Sequence, residues 1–308
     1  MLYTRILYAS PPNYKDMDLE FLRSLLFVPG NQPGMLKKAS QTLPDAFIPD
    51  LEDSVAFDDK DEARQVVSDH IDMLIATGKK IIPRVNSMDT GNFEKDIEAV
   101  IRPGLFGISV GKISNTSDIG DIALAISRCE NRANIPTGTT KIIPWIETAS
   151  AVINCYQILT SSSRIYGAAF GAEDFTNDMG IERRKDDREI AYARSVVTVA
   201  AKAADVLALD TPFFAFRDTE ALKLSSEDSR SLGFNGKFAI HPAQIETINE
   251  CFSPTEKDIA YARQIIEAFE EAAARGRGST SLNGMVVDVP VVKRAESLII
   301  MAKHMELL

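Results

Sequence analysis

The residues with most chemistry to offer are carboxylates that follow apolar runs. Residues 165–178 read Ile-Tyr-Gly-Ala-Ala-Phe-Gly-Ala-Glu-Asp-Phe-Thr-Asn-Asp, small and apolar until Glu173 and Asp174. Residues 141–147 read Lys-Ile-Ile-Pro-Trp-Ile-Glu and end on Glu147. Each has the pattern of a buried strand carrying an acid out at its C-terminal end. Two such ends side by side would offer hard oxygen ligands to a divalent cation such as Mg²⁺. Glu147 and Asp174 are the candidate metal ligands. Glu173 is the alternative to Asp174, because adjacent side chains of a strand point opposite ways. Arg84 follows Pro83 in a third run, where a guanidinium can clamp a carboxylate at two points. Glu52 and Asp53 end another run and would position Arg84 or water at the metal. His241 closes an eighth run beside Pro242, and Asp288 sits among Val286, Val287, Val289 and Pro290, an apolar setting that suits an acid meant for proton transfer. Each has a plainer alternative: helix-start charges for Glu147 and Asp174, an internal ion pair of Arg84 with Glu52 or Asp53, a structural histidine, a turn-capping aspartate.

Something must position these groups. Apolar runs at residues 23–30, 45–53, 80–86, 104–112, 141–146, 165–171, 206–210 and 238–241 alternate with segments of helical period. Those helical segments fall at 35–40, 58–77, 93–101, around 119–126, 152–159, 188–204, 220–231 and around 245–248. Eight strand–helix alternations predict an α/β chain folded as a TIM (β/α)₈ barrel. A doubly wound open sheet is the alternative, but no Gly-rich dinucleotide turn follows the first run. Chemistry in such a barrel sits at the C-terminal ends of the strands. There Asp50, Asn86, Lys112, Thr148 and Asp210 join the acids already named. Residues 253–308 leave the repeat. Ser253-Pro254-Thr255-Glu256 reads as a capping box with Pro at the first helical position. A Gly-rich loop at 276–284, the Asp288 loop and a last amphipathic helix follow. The expected organisation is a mobile arm at 1–22, a catalytic barrel at 23–252 and a C-terminal helical extension carrying a catalytic loop at 253–308.

Composition excludes several classes. The 308 residues carry 34 Lys and Arg against 44 Asp and Glu, a net charge of −10. That argues against nucleic acid and anionic membranes as partners, while a local cationic cluster would still serve a phosphorylated small ligand. Cys129, Cys155 and Cys251 are few and widely spaced, so neither a disulfide framework nor a cysteine metal site is expected. No apolar run approaches the length of a membrane span, and the first twenty residues lack an apolar signal core. A cytoplasmic location is expected, with an organellar matrix as the alternative.

Taken in order, the runs Arg-Ser-x-Leu-Phe-Val-Pro-Gly, Asp-Leu-Glu-Asp-Ser-Val, Pro-Arg-Val-Asn, Ile-Glu-Thr-Ala, Phe-Gly-x-Glu-Asp-Phe, Ile-His-Pro-x-Gln-Ile and Met-Val-Val-Asp-Val-Pro resemble the citrate lyase β-subunit-like family of the HpcH/HpaI aldolase superfamily. That family includes citramalyl-CoA and malyl-CoA lyases. The resemblance runs from Arg23 nearly to the end of the chain. It implies a TIM barrel, Mg²⁺ (with Mn²⁺ as a substitute), CoA as part of the substrate, and a homotrimer whose C-terminal loop reaches a neighbouring active site. By position it makes Glu147 and Asp174 the metal ligands and Arg84 the arginine that meets the 2-oxoacid carboxylate. Asp288 becomes the acid from a neighbouring subunit, and Arg23, Lys37 and Lys38 lie in the stretch that holds the CoA phosphates. The implied reaction is carbon–carbon cleavage of a β-hydroxyacyl-CoA of citramalyl or malyl type to acetyl-CoA and pyruvate or glyoxylate, run in either direction. The alternatives are a citryl lyase subunit using a carrier-bound thioester, which gives oxaloacetate, and a CoA-free class II aldolase for 2-keto-3-deoxy acids. Two departures bear on selectivity: Val-Gly-Lys112 where relatives usually have Pro-Lys, and Pro144-Trp145 before the Ile-Glu-Thr-Ala run.

Overall fold

The computed structural model describes residues 21–184 and 186–308; the mobile arm expected at 1–22 lies almost wholly outside them. Two compact units are present, Leu22–Phe252 and Ser253–Leu308.

The first unit is a closed parallel barrel with helices around it. Its strands are β1 (Ser24–Pro29), β2 (Ala46–Asp50), the pair β3 (Lys80–Ile81) and β4 (Arg84–Val85), β5 (Gly107–Val110), β6 (Lys141–Ile146), β7 (Gly167–Phe170), β8 (Leu207–Asp210) and β9 (Gly236–Ala239). β3 and β4 are one strand of the barrel interrupted at Ile82-Pro83, where proline has no N–H to give the ladder. Each strand pairs in parallel with the next, and β1 pairs with both β2 and β9, which closes the ring. Eight apolar runs thus become eight barrel strands, at the places the sequence predicts. Continuous apolar runs suit parallel strands because both faces are covered.

Alternation along the strands sorts side chains into two cores. Leu25, Ile48, Ile82, Ile143, Trp145, Leu209 and Phe238 pack together inside the barrel. Phe47, Ile81, Ile108, Ile142, Ala168 and Ala208 face outwards into a larger core shared with the helices. Those helices are α1 (Pro33–Ala39), α2 (Lys60–Ile75), α3 (Phe93–Val100), α4 (Thr116–Arg132), α5 (Ala149–Ile153), α6 (Cys155–Thr160), α7 (Ala172–Met179), α8 (Ala191–Ala203), α9 (Thr219–Leu232) and α10 (Ile245–Cys251). Two differ from expectation. The helix expected at 152–159 is broken at Asn154 into α5 and α6. The run 165–178 does not end as a strand on its acids. The strand stops at Phe170, and Glu173 and Asp174 lie in the first turn of α7, where acids are favoured by the helix dipole.

The second unit holds α11 (Glu256–Ala274), the hairpin β10 (Thr280–Leu282) and β11 (Met285–Val287), and α12 (Val289–His304). Ile265, Phe269, Val287, Val292 and Ala295 form its core. The capping box falls two residues later than the sequence reading. Thr255 accepts from the Asp258 N–H at 3.1 Å, and Asp258 accepts from the Thr255 N–H at 3.0 Å. Among the described residues no helix is long and apolar enough to cross a membrane.

The barrel's entry end is tied by one buried ion pair. Arg164 donates to both oxygens of Glu130, at 2.9 and 2.7 Å, while the same carboxylate accepts from Thr140 N–H at 2.7 Å and Gly138 N–H at 3.0 Å. Burial would raise the Glu130 carboxyl, but these donors win and hold it at about 2 against an ordinary 4.5. A depressed carboxyl stabilises the fold above its unfolded value and loses that contribution as pH falls through its folded value. The shift corresponds to about 3 kcal/mol. Glu130→Gln is therefore expected to lower unfolding free energy by about 3–5 kcal/mol at pH 7, because it leaves Arg164 buried without a counter-charge. In urea titrations the gap between wild type and variant should narrow as pH falls from 4.5 towards 2. A gap independent of pH would refute the assignment.

Candidate active site

Inward-pointing residues at the C-terminal ends of the strands line a cavity of about 340 Å³. Arg84 lies at its centre. The β2–β4 register sets Asp50 directly opposite Arg84. The pair is two-pronged: Nε donates to Asp50 Oδ1 at 2.7 Å and Nη2 to Oδ2 at 2.6 Å. Asp53 accepts from Nη1 at 3.0 Å and Glu52 lies 3.3 Å from the same nitrogen. Asp50 takes the Nε–Nη2 edge and Asp53 and Glu52 face Nη1, so every nitrogen of the guanidinium already meets an acid, and a further carboxylate would be gripped by displacing Asp53 or Glu52. Phe27 and Trp145 flank the guanidinium, at 4.7 and 5.9 Å from ring centroid to Cζ. The Asp50 carboxylate is pinned in turn by the N–H groups of Glu52, at 2.9 Å, and Ser54, at 3.1 Å.

Across the mouth, Glu147 follows β6 and Asp174 stands in the first turn of α7. They share one cationic atom. Lys112 Nζ lies 2.5 Å from Asp174 Oδ1 and 3.6 Å from Glu147 Oε1. The Lys112 backbone N–H also donates to Glu147 Oε1 at 2.7 Å. That doubled approach requires the left-handed backbone seen at Lys112, with φ of 59°. Glycines keep the acids' surroundings clear. A Cβ on Gly171 would come within 2.7 Å of Glu147 Oε2, and one on Gly111 within 2.8 Å of Glu147 Oε1 and 3.1 Å of Glu52 Oε1.

The charge is unbalanced. Burial, with the charges of Asp53, Glu147 and Asp50 added and Arg84 opposing, pushes the Glu52 carboxyl up to about 8. Burial also raises Glu147, against the pull of Lys112. Burial works against the Arg84 charge, but Asp50 more than offsets it. Two hard carboxylates converging on a single cationic point, beside a third acid strained by its neighbours, fit a divalent cation that keeps other positions for water and substrate. Among the described residues no three His, Cys, Asp or Glu side chains form a ready-made site, so such an ion would rest on Glu147 and Asp174 and complete its shell elsewhere.

The remaining candidates fall differently. Glu173 turns from Glu147 and accepts from Arg183 Nε at 3.0 Å, so Asp174 is the acid that meets Glu147. Arg23 is not brought to this mouth. It precedes β1, at the opposite end of the barrel, and is committed to Asp45 through two bonds of 2.9 Å. Lys37 and Lys38 are exposed in the last turn of α1, the helix that follows β1. His241 is an N-cap: its Nδ1 accepts from Ala243 N–H at 3.1 Å and its ring stacks on Phe216. Asp210 faces outwards and is buried against Lys237 at 2.7 Å and Arg194 at 3.0 Å. Asp288 belongs to the second unit, where it caps α12 by accepting from Val291 N–H at 3.3 Å. Sequence reading placed Asp50 and Lys112 at the rim but gave them no role. The signal for Asp50 was parity: Ile48, Asp50 and Arg84 all occupy inward positions of adjoining strands.

The chain belongs to the HpcH/HpaI aldolase/citrate lyase family, which it matches over residues 23–242. It is 38% identical over 280 residues to the citrate lyase subunit beta of Leuconostoc mesenteroides subsp. cremoris, covering 91% of this chain and 93% of that one. It is 31% identical over 312 residues to the mitochondrial citramalyl-CoA lyase of Mus musculus, covering 96% and 89%. The crystal structure of CitE from Mycobacterium tuberculosis with magnesium, acetoacetate and coenzyme A superposes with a TM-score of 0.75 at 28% identity, covering 92% and 98%. A citrate lyase beta subunit from the same organism, complexed with oxaloacetate and magnesium, gives 0.64 at 27% identity, covering 76% and 98%.

Asp50 is expected to be indispensable to the rim. Asp50→Asn should lower unfolding free energy by about 3 kcal/mol, since it removes the charge that holds a buried guanidinium. Chemical denaturation measures it, and a loss below ~1 kcal/mol would contradict the central position given to this pair.

Proposed function

We propose that this protein is a Mg²⁺-dependent carbon–carbon lyase that divides a β-hydroxyacyl-CoA into acetyl-CoA and a 2-oxoacid. The observation that carries the reading is the facing of Arg84 and the Glu147–Asp174 pair across one cavity, in a chain of this family. Cleavage of such a substrate needs a carboxylate held still, charge relief at an adjacent oxygen, and a proton at the departing carbon. Arg84 answers the first need: with its plane fixed by Asp50, the guanidinium would grip the carboxylate in place of Asp53 and Glu52. Glu147 and Asp174 would hold Mg²⁺, which when bound supplies a Lewis acid for the oxygen that becomes the 2-oxo group. Asp288 would supply the third, delivering a proton to the acetyl thioester carbon from a neighbouring copy in a homotrimer, or removing it in the reverse direction. Lys37 and Lys38 would meet the CoA phosphates; Arg23, paired with Asp45 at the far end, is poorly placed to join them. A cytoplasmic or organellar-matrix setting suits such a substrate.

A second reading keeps the same chemistry but places the thioester on an acyl-carrier protein. It is favoured by the similarity to citrate lyase beta subunits. Acetyl-CoA release from free CoA esters, with Mg²⁺ and with EDTA, separates the two. Metal-dependent release from a free ester supports the stand-alone enzyme. Its absence, with Mg²⁺ still bound, supports the carrier-dependent subunit.

Glu147→Gln and Asp174→Asn should each weaken Mg²⁺ binding by at least ~10-fold in calorimetric titration. Asp288→Asn should spare metal binding yet reduce turnover by about 10²–10⁴-fold, the usual worth of a positioned acid or base. Wild-type rates in that variant would remove Asp288 from the mechanism.

A further inference from the structure

Glu173 is an acid that the mouth leaves aside. It lines the same cavity as Glu147 and Asp174 and stands next to Asp174 in the first turn of α7. Its side chain is one methylene longer than that of Asp174. Nothing in its own chemistry keeps it from a cation held by the other two. Arg183 does: its Nε donates to Glu173 Oε1 at 3.0 Å. Arg183 is held in turn from behind. Its Nη2 donates to Asp187 Oδ1 at 2.9 Å and its Nη1 donates to Glu189. Glu189 also accepts from the Arg184 N–H at 3.1 Å, and its side chain is 7% exposed. The backbone supplies the approach. α7 ends at Gly180 in the left-handed region, with φ of 66°, and the Ile181 N–H returns to the Thr176 carbonyl at 3.0 Å. The chain doubles back there, so Arg183 reaches the start of the helix it has just left. Asp187, with φ of 53°, makes a second left-handed turn. Asp187 and Glu189 would be enough to fix the guanidinium. Glu173 is the group that the fixed guanidinium holds.

We infer that Arg183 is a positioning residue of the cation site: it withholds Glu173, so that Glu147 and Asp174 are the acids left to face the ion. The inference rests on the metal-dependent reading of this mouth and concerns which ion the mouth prefers. Mg²⁺ is usually bound through one or two carboxylates and keeps several waters. Ca²⁺ takes about six to eight oxygens and is held more tightly as carboxylates are added. A third acid would fill a position that a substrate oxygen needs, and would turn a Mg²⁺ site towards Ca²⁺. Arg183 prevents this by pairing the spare acid. The same pairing removes one uncompensated charge from a mouth already crowded with acids. Arg183 acts through Glu173 and touches neither Glu147 nor Asp174 by any hydrogen bond or ion pair among the described residues.

Calorimetric titration of the full chain with MgCl₂ and with CaCl₂ tests this without any thioester. In Arg183→Met the ratio of Ca²⁺ to Mg²⁺ affinity is expected to rise at least ~10-fold. Adding Glu173→Gln to that variant should return the ratio to within about threefold of wild type, because the freed acid is then gone. Glu173→Gln by itself should leave both affinities within about threefold of wild type. A change of field from the lost guanidinium would tighten both ions equally. An equal shift, an unchanged ratio, or a raised ratio that survives Glu173→Gln therefore overturns the inference. Glu173 is an exposed side chain, so its single variant decides the matter should Arg183→Met not fold by circular dichroism. Loss of ~10-fold or more there would make Glu173 a ligand and overturn the inference; wild-type affinities would support it. Glu147→Gln is the reference. Cation binding that survives it overturns the metal centre itself, whereas an unchanged ratio in Arg183→Met, with binding still lost in Glu147→Gln, overturns the role of Arg183 and leaves the lyase reading standing.

Discussion

Like-charge crowding at a partly dry barrel mouth is the constraint on which the rest of this structure depends. Asp50 ends β2, Glu52 and Asp53 lie in the turn after it, Glu147 follows β6 and Asp174 stands in the first turn of α7. Arg84 and Lys112 oppose them. Carboxylates gathered away from water raise one another's affinity for protons unless cations intervene, and the Glu52 carboxyl at about 8 shows how far the deficit reaches. Much of the local geometry follows from limiting it. Strand register faces Asp50 with Arg84. The left-handed turn at Lys112 lets one residue offer Glu147 both a backbone N–H and an ammonium. Glycines at 111 and 171 let Glu147 lie where a methyl group would otherwise stand. The remaining imbalance is what makes a divalent cation welcome at this mouth.

Below the charges, the barrel's two-residue alternation supplies the other half of the site. The positions that send Glu147 and Asp50 into the mouth send Trp145, Phe27 and Phe238 into the layer beneath. That layer is both core and floor. Its rings bury enough apolar surface to hold the barrel's centre, and they give Arg84 a flat surface against which the guanidinium keeps its plane. Orientation of the arginine therefore comes from two directions, an aspartate along its edge and aromatic rings along its faces. Neither alone would fix all the torsions of so long a side chain.

Much of this was legible beforehand, for physical reasons. Parallel strands buried on both faces read as unbroken apolar runs, so eight strands and a barrel followed from counting them. That Glu147 and Asp174 reach one mouth was expected from runs ending on acids, although for Asp174 it is the first turn of α7 and not a strand end that carries it there. What stayed hidden depended on three-dimensional pairing or on short signals. Asp50 looked like one acid among three, and only the register with Arg84 singled it out. Lys112 looked like a strand end, and its bridging needed the left-handed turn. Arg23 looked like part of a binding stretch, yet it lies at the wrong end of its strand. Asp174 was the candidate with Glu173 as its alternative on strand alternation, but the strand ends at Phe170 and helical rather than strand geometry directs both. The hairpin of the second unit carried a signal that went unused: Asn283-Gly284, both with positive φ, is a turn dipeptide between two short strands.

The barrel holds a second cluster of acids and bases, and comparing the two explains why one is a site. Asp210 is fully buried with Lys237, Arg194 and Ser229 around it, and the two cations more than offset burial, holding its carboxyl below the ordinary range. Asp228 adds a counter-charge for Arg194 at 2.7 Å. Charges there balance within the protein and donors meet acceptors, so the cluster fastens α8 and α9 to β8 and β9 and has nothing left to offer a ligand. The mouth has the opposite budget of charge. Its acids outnumber its bases, and a cavity adjoins them. Ionic groups alone do not mark a site in this fold; an electrostatic imbalance beside open space does, and the inward face of the strand ends is where the barrel provides it.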